Sequence, residues 1–278
     1  STSRGLGDVY KRQLDNFCWP DSIESVKTPD GKFKLAQLVR ANRELERVCR
    51  AYRLPCVSGK DSMKNDYGTG EKKISIPPTL LFSLFGDQPD VRFTATSDLK
   101  RAGDKLYLVG TSHDELGASE IAFMLKENGV AEGIGGTPPL LPHPERNLST
   151  YRALSTAIQN GLIQTAHDCS EGGVGIAVAE MCIGGRLGAT IDLDGTGHEN
   201  LWARLWGESL GRFVIAVTPE REAEFIRWMS GHTITFLGEA VSEATLTIND
   251  GFDQVVSTDV NTMVSFWQGA LDMTGGVE

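Results

Sequence analysis

Residues 167–181, "HDCSEGGVGIAVAEM", place a histidine, two acids, a serine and two adjacent glycines directly ahead of a small-apolar run. Two chemistries fit. A glycine-rich helix start offers unpaired N–H groups that seat an anion, and Asp168 beside it could hold the Mg²⁺ that accompanies a phosphate. Equally, the stretch is an ordinary helix start, with Ser170 as cap, Glu171 complementing the dipole and the glycines allowing close packing. A second candidate is "SGKDSMKN" (58–65). There Gly59 lets a ligand approach the backbone, Lys60 offers a cation, Asp61 a carboxylate and Ser62 a hydroxyl. A polar turn explains the same residues. "LDNFCWPD" (14–21) sets Asp15 and Asn16 beside Phe17 and Trp19, an acid in a partly apolar setting.

Other patterns carry less. "GESLG" (207–211) fits the G-x-S-x-G nucleophile elbow, but that elbow needs a strand before the serine and a helix after it. Here a helical segment, "ENLWARLW", precedes it and a strand, "RFVIAV", follows. "GIGG" (133–136) lacks the Lys-Ser/Thr of a phosphate-gripping loop and reads as a mobile loop.

These residues need elements to hold them. Apolar residues at helical spacing from Lys34 to Tyr52 predict a helix stopped by Pro55, followed by a strand through "CVSGKDSM". "ISIPPTLLFSLFG" (74–86) reads as strand bent at its proline pair, and "KLYLVGT" as a short buried strand. A domain boundary is expected near residue 95. Beyond it, "DELGASEIAFMLKENG" reads as a helix ending at Gly129, Ser149 as the cap of a helix closed by Gly161, and "LIQTA" as the strand feeding the opening motif. "TPEREAEFIRWMSG" reads as a helix with Thr218 as cap and Gly231 past its end. "TITFLG" and "ATLTI" are strands, with "NDG" (249–251) turning into "FDQVV". The pattern is α+β, with mixed sheets covered by helices.

Bulk properties set limits. The 278 residues, 40% hydrophobic, suffice for one large domain or two modest ones, and a net charge of −10 argues against a nucleic-acid scaffold. The longest apolar stretch, "TLLFSLF", falls far short of a membrane span, and no signal peptide opens the residues given. Five cysteines without a C-x-x-C pair point to small buried thiols in a reduced, cytoplasmic protein, with no zinc site.

Five segments in order, "DNFCWPD", "SGKDSM", "LGASE", "AHDCSEGGVGIAVAEM" and "GESLGRFVIAV", together resemble the phosphoribosylformylglycinamidine synthases. These are ATP-dependent amidine-forming ligases of purine synthesis, in a superfamily with aminoimidazole ribonucleotide synthetase, selenophosphate synthetase and a hydrogenase-maturation protein. The resemblance spans roughly residues 14 to 270. It implies the second of two N–C domain pairs: residues 14–95 completing an N-domain, itself incomplete here, and 96–270 forming a C-domain. Residues 1–13 are expected to be a disordered, non-native lead and 271–278 a tail.

Residue by residue, the resemblance makes Asp15, Gly59 and Lys60 ATP- or ADP-binding residues, Ser62 a contact to formylglycinamide ribonucleotide, Asp168 a metal ligand and Ser170 a nucleotide contact. Lys60 stands where shorter members carry a magnesium-binding Asn; a lysine cannot ligate Mg²⁺ and is assigned to phosphate. Asp168 and Ser170 match an auxiliary ADP site of the longer members. The family's general base belongs to the first half, so no catalytic residue is assigned among these residues. Activity is expected only with an N-terminal half and a glutaminase subunit or domain supplying ammonia. The alternatives are another ATP-using member, such as a selenophosphate synthetase, and a non-catalytic half whose nucleotide supports the fold.

Overall fold

The computed structural model describes residues 11–69, 72–88, 90–129 and 135–270. Chain contacts divide it into two compact units, Ser1–Pro89 and Asp90–Glu278.

In the first unit, strand β1 (Lys11–Cys18) is central, with β2 (Cys56–Ser62) parallel on one side and β5 (Thr79–Gly86) antiparallel on the other. Parallel neighbours need a crossover, supplied by helix α1 (Gly31–Tyr52). That helix is tied to the central strand and its extension: the Gln13 amide donates to Cys49 Sγ at 2.7 Å and the Trp19 indole to the Lys34 carbonyl at 3.0 Å. Residues 11–13, expected to lie in a disordered lead, are instead part of β1. Lys11 pairs with Gly86 and Gln13 with Leu84, because a central strand extends as far as its longer neighbour does. A separate hairpin, β3 (Asp66–Thr69) with β4 (Lys72–Ser75), escaped the sequence reading. Pro77 and Pro78 separate β4 from β5, so the single expected strand is two. Alternation along β5 sends Leu81 (59% exposed) to one face and Leu84 (65%) to the other, leaving apolar surface on both.

The second unit is a seven-stranded mixed sheet in the order β12-β11-β8-β10-β6-β9-β7. Its strands are β6 (Lys105–Val109), β7 (Thr165–Asp168), β8 (Gly188–Asp192), β9 (Phe213–Val217), β10 (Ile234–Val241), β11 (Thr245–Asp250) and β12 (Asp253–Asp259). Both faces are covered. Leu106 and Leu108 of β6, with Val214 and Ala216 of β9, enter one core with α4 (Gly173–Gly185) and α7 (Val260–Gly269). The intervening Tyr107, Val109, Ile215 and Val217 enter a second core with α3 (Pro144–Gln159) and α6 (Glu222–Trp228). A strand buried on both faces must be apolar at every buried position, which is why "LYLV" (106–109) and "FVIAV" show no alternation. Two short helices complete the unit, α2 (Glu120–Glu127) and α5 (Leu201–Trp206).

Several helix starts differ from expectation. Helix α3 begins at Pro144, not after Ser149, since proline at the first turn forfeits no hydrogen bond. Helix α2 begins at Glu120 under a Ser119 cap, with 114–117 as loop. Thr218 opens a turn instead of capping a helix: its carbonyl accepts from the Arg221 N–H, and α6 starts at Glu222. Both the expected α+β class and the mixed sheets stand.

Candidate functional site

Strand β7, at the sheet edge, delivers Asp168 to the turn that opens α4. Its carboxylate is 65% exposed and accepts a 2.6 Å hydrogen bond from the Ser170 hydroxyl. His167 Nδ1 lies 2.8 Å from the Asp168 carbonyl and 3.7 Å from its carboxylate, and Nε2 lies 3.0 Å from Glu180. Ser170 does not cap the helix; the capping position is Gly172, at φ 76°, with no side-chain cap bond. Two successive left-handed residues, Gly172 and Gly173 (φ 63°), turn the chain so tightly that a side chain at 173 has no room. A Cβ there would stand 2.4 Å from the Gly207 carbonyl oxygen.

Of the N–H groups expected to seat an anion, two are already engaged. Gly172 donates to Glu208 Oε1 at 3.0 Å and Gly173 to the Ser170 carbonyl at 3.1 Å. The Glu171 N–H and the exposed Asp168–Ser170 pair remain. That set suits a metal-accompanied phosphate: Mg²⁺ takes one or two carboxylates and keeps water and phosphate oxygens for its other positions. Among the described residues no group of three or more His, Cys, Asp or Glu side chains could hold a metal by itself.

Behind the turn, Arg212 is 1% exposed. It donates to the Ser209 carbonyl at 3.1 Å, to Ser112 Oγ at 2.8 Å and to the Gly207 carbonyl. Burial lowers its pKa, opposed by Cys169, Glu115 and Glu208. A buried cation bonded mainly to carbonyls pins the 207–209 loop where a purely apolar residue would leave acceptors unsatisfied. Ser209 is fully buried and accepts from the His113 N–H at 3.0 Å between α5 and β9, so it is no nucleophile.

In the first unit the remaining candidates fall on two faces of the sheet. Asp15 pairs with Gly59 across β1 and β2, and its Oδ1 lies 2.2 Å from where a Gly59 Cβ would be. Gly59 is therefore glycine because the Asp15 carboxylate occupies its side-chain space, with Cys56 Sγ also donating to that carboxylate at 3.3 Å. Lys60 and Ser62 point from the opposite face, where the lysine ammonium donates to the Ser62 hydroxyl. Asp15, Gly59, Lys60 and Ser62 belong to the first unit, Asp168 and Ser170 to the second. Gly133 and Ile134 of the "GIGG" segment lie outside the described residues.

Residues 101–251 match the family model "AIR synthase related protein, C-terminal domain". The chain belongs to this AIR synthase related family. A curated relative within reach of this family chain, "Phosphoribosylformylglycinamidine synthase subunit PurL" of Deinococcus radiodurans, is 33% identical over 242 residues, 84% of this chain and 32% of the relative. The chain therefore spans under a third of that relative's length, 32%. Among solved structures, Thermotoga maritima PurL complexed with FGAR aligns at a TM-score of 0.63 with 14% identity, covering 94% of this chain and 41% of the other. The same protein complexed with ATP aligns at 0.57 with 15% identity, over 94% and 40%. The hydrogenase maturation protein HypE of E. coli aligns at 0.60 with 15% identity, over 89% and 72%. At these identities the structures show the AIR synthase-like fold.

The sequence reading missed Glu208 and Arg212. Their signal was present in "GESLGR", where an Arg sits between glycine and an all-apolar strand, but for chemistry that segment was weighed only as a nucleophile elbow and set aside.

Proposed function

We propose that this chain is part of an ATP-dependent ligase that converts formylglycinamide ribonucleotide to formylglycinamidine ribonucleotide in purine biosynthesis. The observation that carries the reading is the 33% identity over 84% of the chain to a phosphoribosylformylglycinamidine synthase subunit. Geometry supports it: an exposed Asp168–Ser170 pair stands at a double-glycine helix start, and in the first unit the Asp15 carboxylate lies over the Gly59 backbone. ATP would supply the phosphoryl group and Mg²⁺ would neutralise its charge; transfer to the substrate amide oxygen, with ADP leaving, would let ammonia displace that oxygen as phosphate. In the second unit Asp168 would hold a metal, with Ser170 and the Glu171 N–H receiving phosphate, at the auxiliary nucleotide site; in the first unit Asp15 and Gly59 would contact nucleotide. Lys60 neutralises phosphate charge, and Ser62 beside it positions the substrate. The remaining domains of the ligase and a glutaminase supplying ammonia are its partners, in the cytoplasm. The apolar side chains exposed on both faces of β5 are surface that the rest of an N-domain would cover.

Reconstitution tests this. The chain mixed with the remaining portion of the ligase, ATP, Mg²⁺, ammonium and formylglycinamide ribonucleotide should form the amidine product. The chain alone should form none. Product from the chain alone, or none from the mixture while an intact ligase control turns over, would contradict the assignment.

A further inference from the structure

The segments "LGASE" and "GESLG" have no role in the reading above, yet one side chain joins both to the Asp168 turn. Glu208 Oε1 accepts from the Gly172 N–H at 3.0 Å and from the Glu120 N–H at 3.0 Å. Its own N–H donates to the Glu115 carbonyl at 3.2 Å. Glu120 is the first residue of α2 and Gly172 the capping residue of α4, so this carboxylate sits between two helix N-termini, where negative charge is favoured. Among the described residues it is the one side chain from elsewhere in the fold that hydrogen-bonds to residues 169–173. The backbone beside it does the rest: a Gly173 Cβ would lie 2.4 Å from the Gly207 carbonyl oxygen and 3.0 Å from the Trp206 carbonyl carbon.

We propose that Glu208 is the positioning residue of the 168–173 turn, fixing it by reach more than by charge. Resting on the nucleotide reading, this makes Glu208 responsible for which donors a phosphate meets. With the Gly172 N–H engaged, the phosphate is directed to Ser170 Oγ and the Glu171 N–H, beside the metal on Asp168. A glutamine retains both length and an acceptor oxygen; an aspartate retains charge but is one methylene too short to span both N–H groups. A residue acting by reach is rescued by the first change and not the second. One acting only by charge shows the reverse order.

The test uses the full chain and its Glu208→Gln, Glu208→Asp and Glu208→Ala variants. Two readouts apply: amide hydrogen exchange at Gly172 and Glu120, and the rise in Tm with ADP and Mg²⁺. Glu208→Gln should match the parent in both. Glu208→Asp should speed exchange at those two amides about tenfold and weaken ADP about tenfold, the size of one lost hydrogen bond. Glu208→Ala should do the same; if it does not fold, the Gln–Asp comparison decides alone. Unchanged exchange and ADP response in Glu208→Asp, or a Glu208→Gln as impaired as Glu208→Asp, overturns the proposal. A parent chain without any ADP response overturns the nucleotide reading instead, while the exchange arm still decides whether Glu208 fixes the turn.

Discussion

Gly173→Ala isolates the geometry on which the site depends. The new methyl meets two separate costs. Gly173 sits at φ 63°, and a non-glycine residue in the left-handed region costs about 1–2 kcal/mol. Its Cβ would also stand 2.4 Å from the Gly207 carbonyl oxygen and 3.1 Å from that of Leu205, both backbone atoms that cannot rotate away. Such overpacking adds about 1–3 kcal/mol, so the total is about 3 kcal/mol. For a unit of this size that lowers Tm by about 6–12 °C, at 2–4 °C per kcal/mol. Gly161→Ala is the matched control: φ is 67°, but nothing lies within 4 Å of the added Cβ. It should carry only the conformational cost, about 1 kcal/mol and about 2–4 °C. Melts of the three proteins followed by near-ultraviolet circular dichroism give the comparison. A Gly173→Ala drop no larger than that of Gly161→Ala would refute the steric account of the turn.

Three further outcomes follow from the same geometry. Arg212→Met leaves the Ser209 and Gly207 carbonyls and Ser112 Oγ without their donor, and should cost about 3 kcal/mol by urea denaturation. Ser170→Ala removes an exposed bond to Asp168 and no helix cap, so ligand-free stability should change by less than about 0.5 kcal/mol. Burial pushes the Cys169 thiol from 9.0 up to about 11 and Cys182 up to about 12. Raised values mean that the unfolded chain gives up these protons first, so this stability is intact below pH 9 and is lost as pH climbs toward 11 and 12. Urea midpoints should fall over that range, and at pH 8 iodoacetamide should label exposed Cys56 while leaving Cys169 and Cys182 untouched until unfolding.

Sequence made legible what depends on local chemistry. The all-apolar "FVIAV" and the "NDG" hairpin each named their element because propensity and tertiary burial agree there, whereas the periodicity of 34–52 named its helix although Leu35 and Val39 stay exposed. It failed where a partner far along the chain decides. Ser170 had every attribute of a cap, but the Glu208 carboxylate, 36 residues beyond Gly172, took the Gly172 N–H and left the serine to bond Asp168. Small buried thiols were expected throughout, yet only Cys169 and Cys182 are buried; Cys18 and Cys49 are part-buried, and Cys56 is exposed because the strand carrying it lies exposed in its sheet. Gly59 could be read as an open approach for a ligand; only the register of β1 against β2 reveals that Asp15 already fills part of that space. The two-faced split of Asp15 and Gly59 from Lys60 and Ser62 likewise follows from strand pairing, and no motif spacing encodes it.

Isothermal titration of the chain with ADP, with and without Mg²⁺ and repeated on Asp168→Asn, bears most directly on the nucleotide site. Binding should require Mg²⁺ and should vanish in Asp168→Asn while the unfolding midpoint without ligand stays put, because that carboxylate is exposed and its one hydrogen bond can be remade by water. A neutral amide is a poor Mg²⁺ ligand. Binding of equal strength with and without the metal, or undiminished in Asp168→Asn, would contradict the assignment of this turn as a metal–nucleotide site.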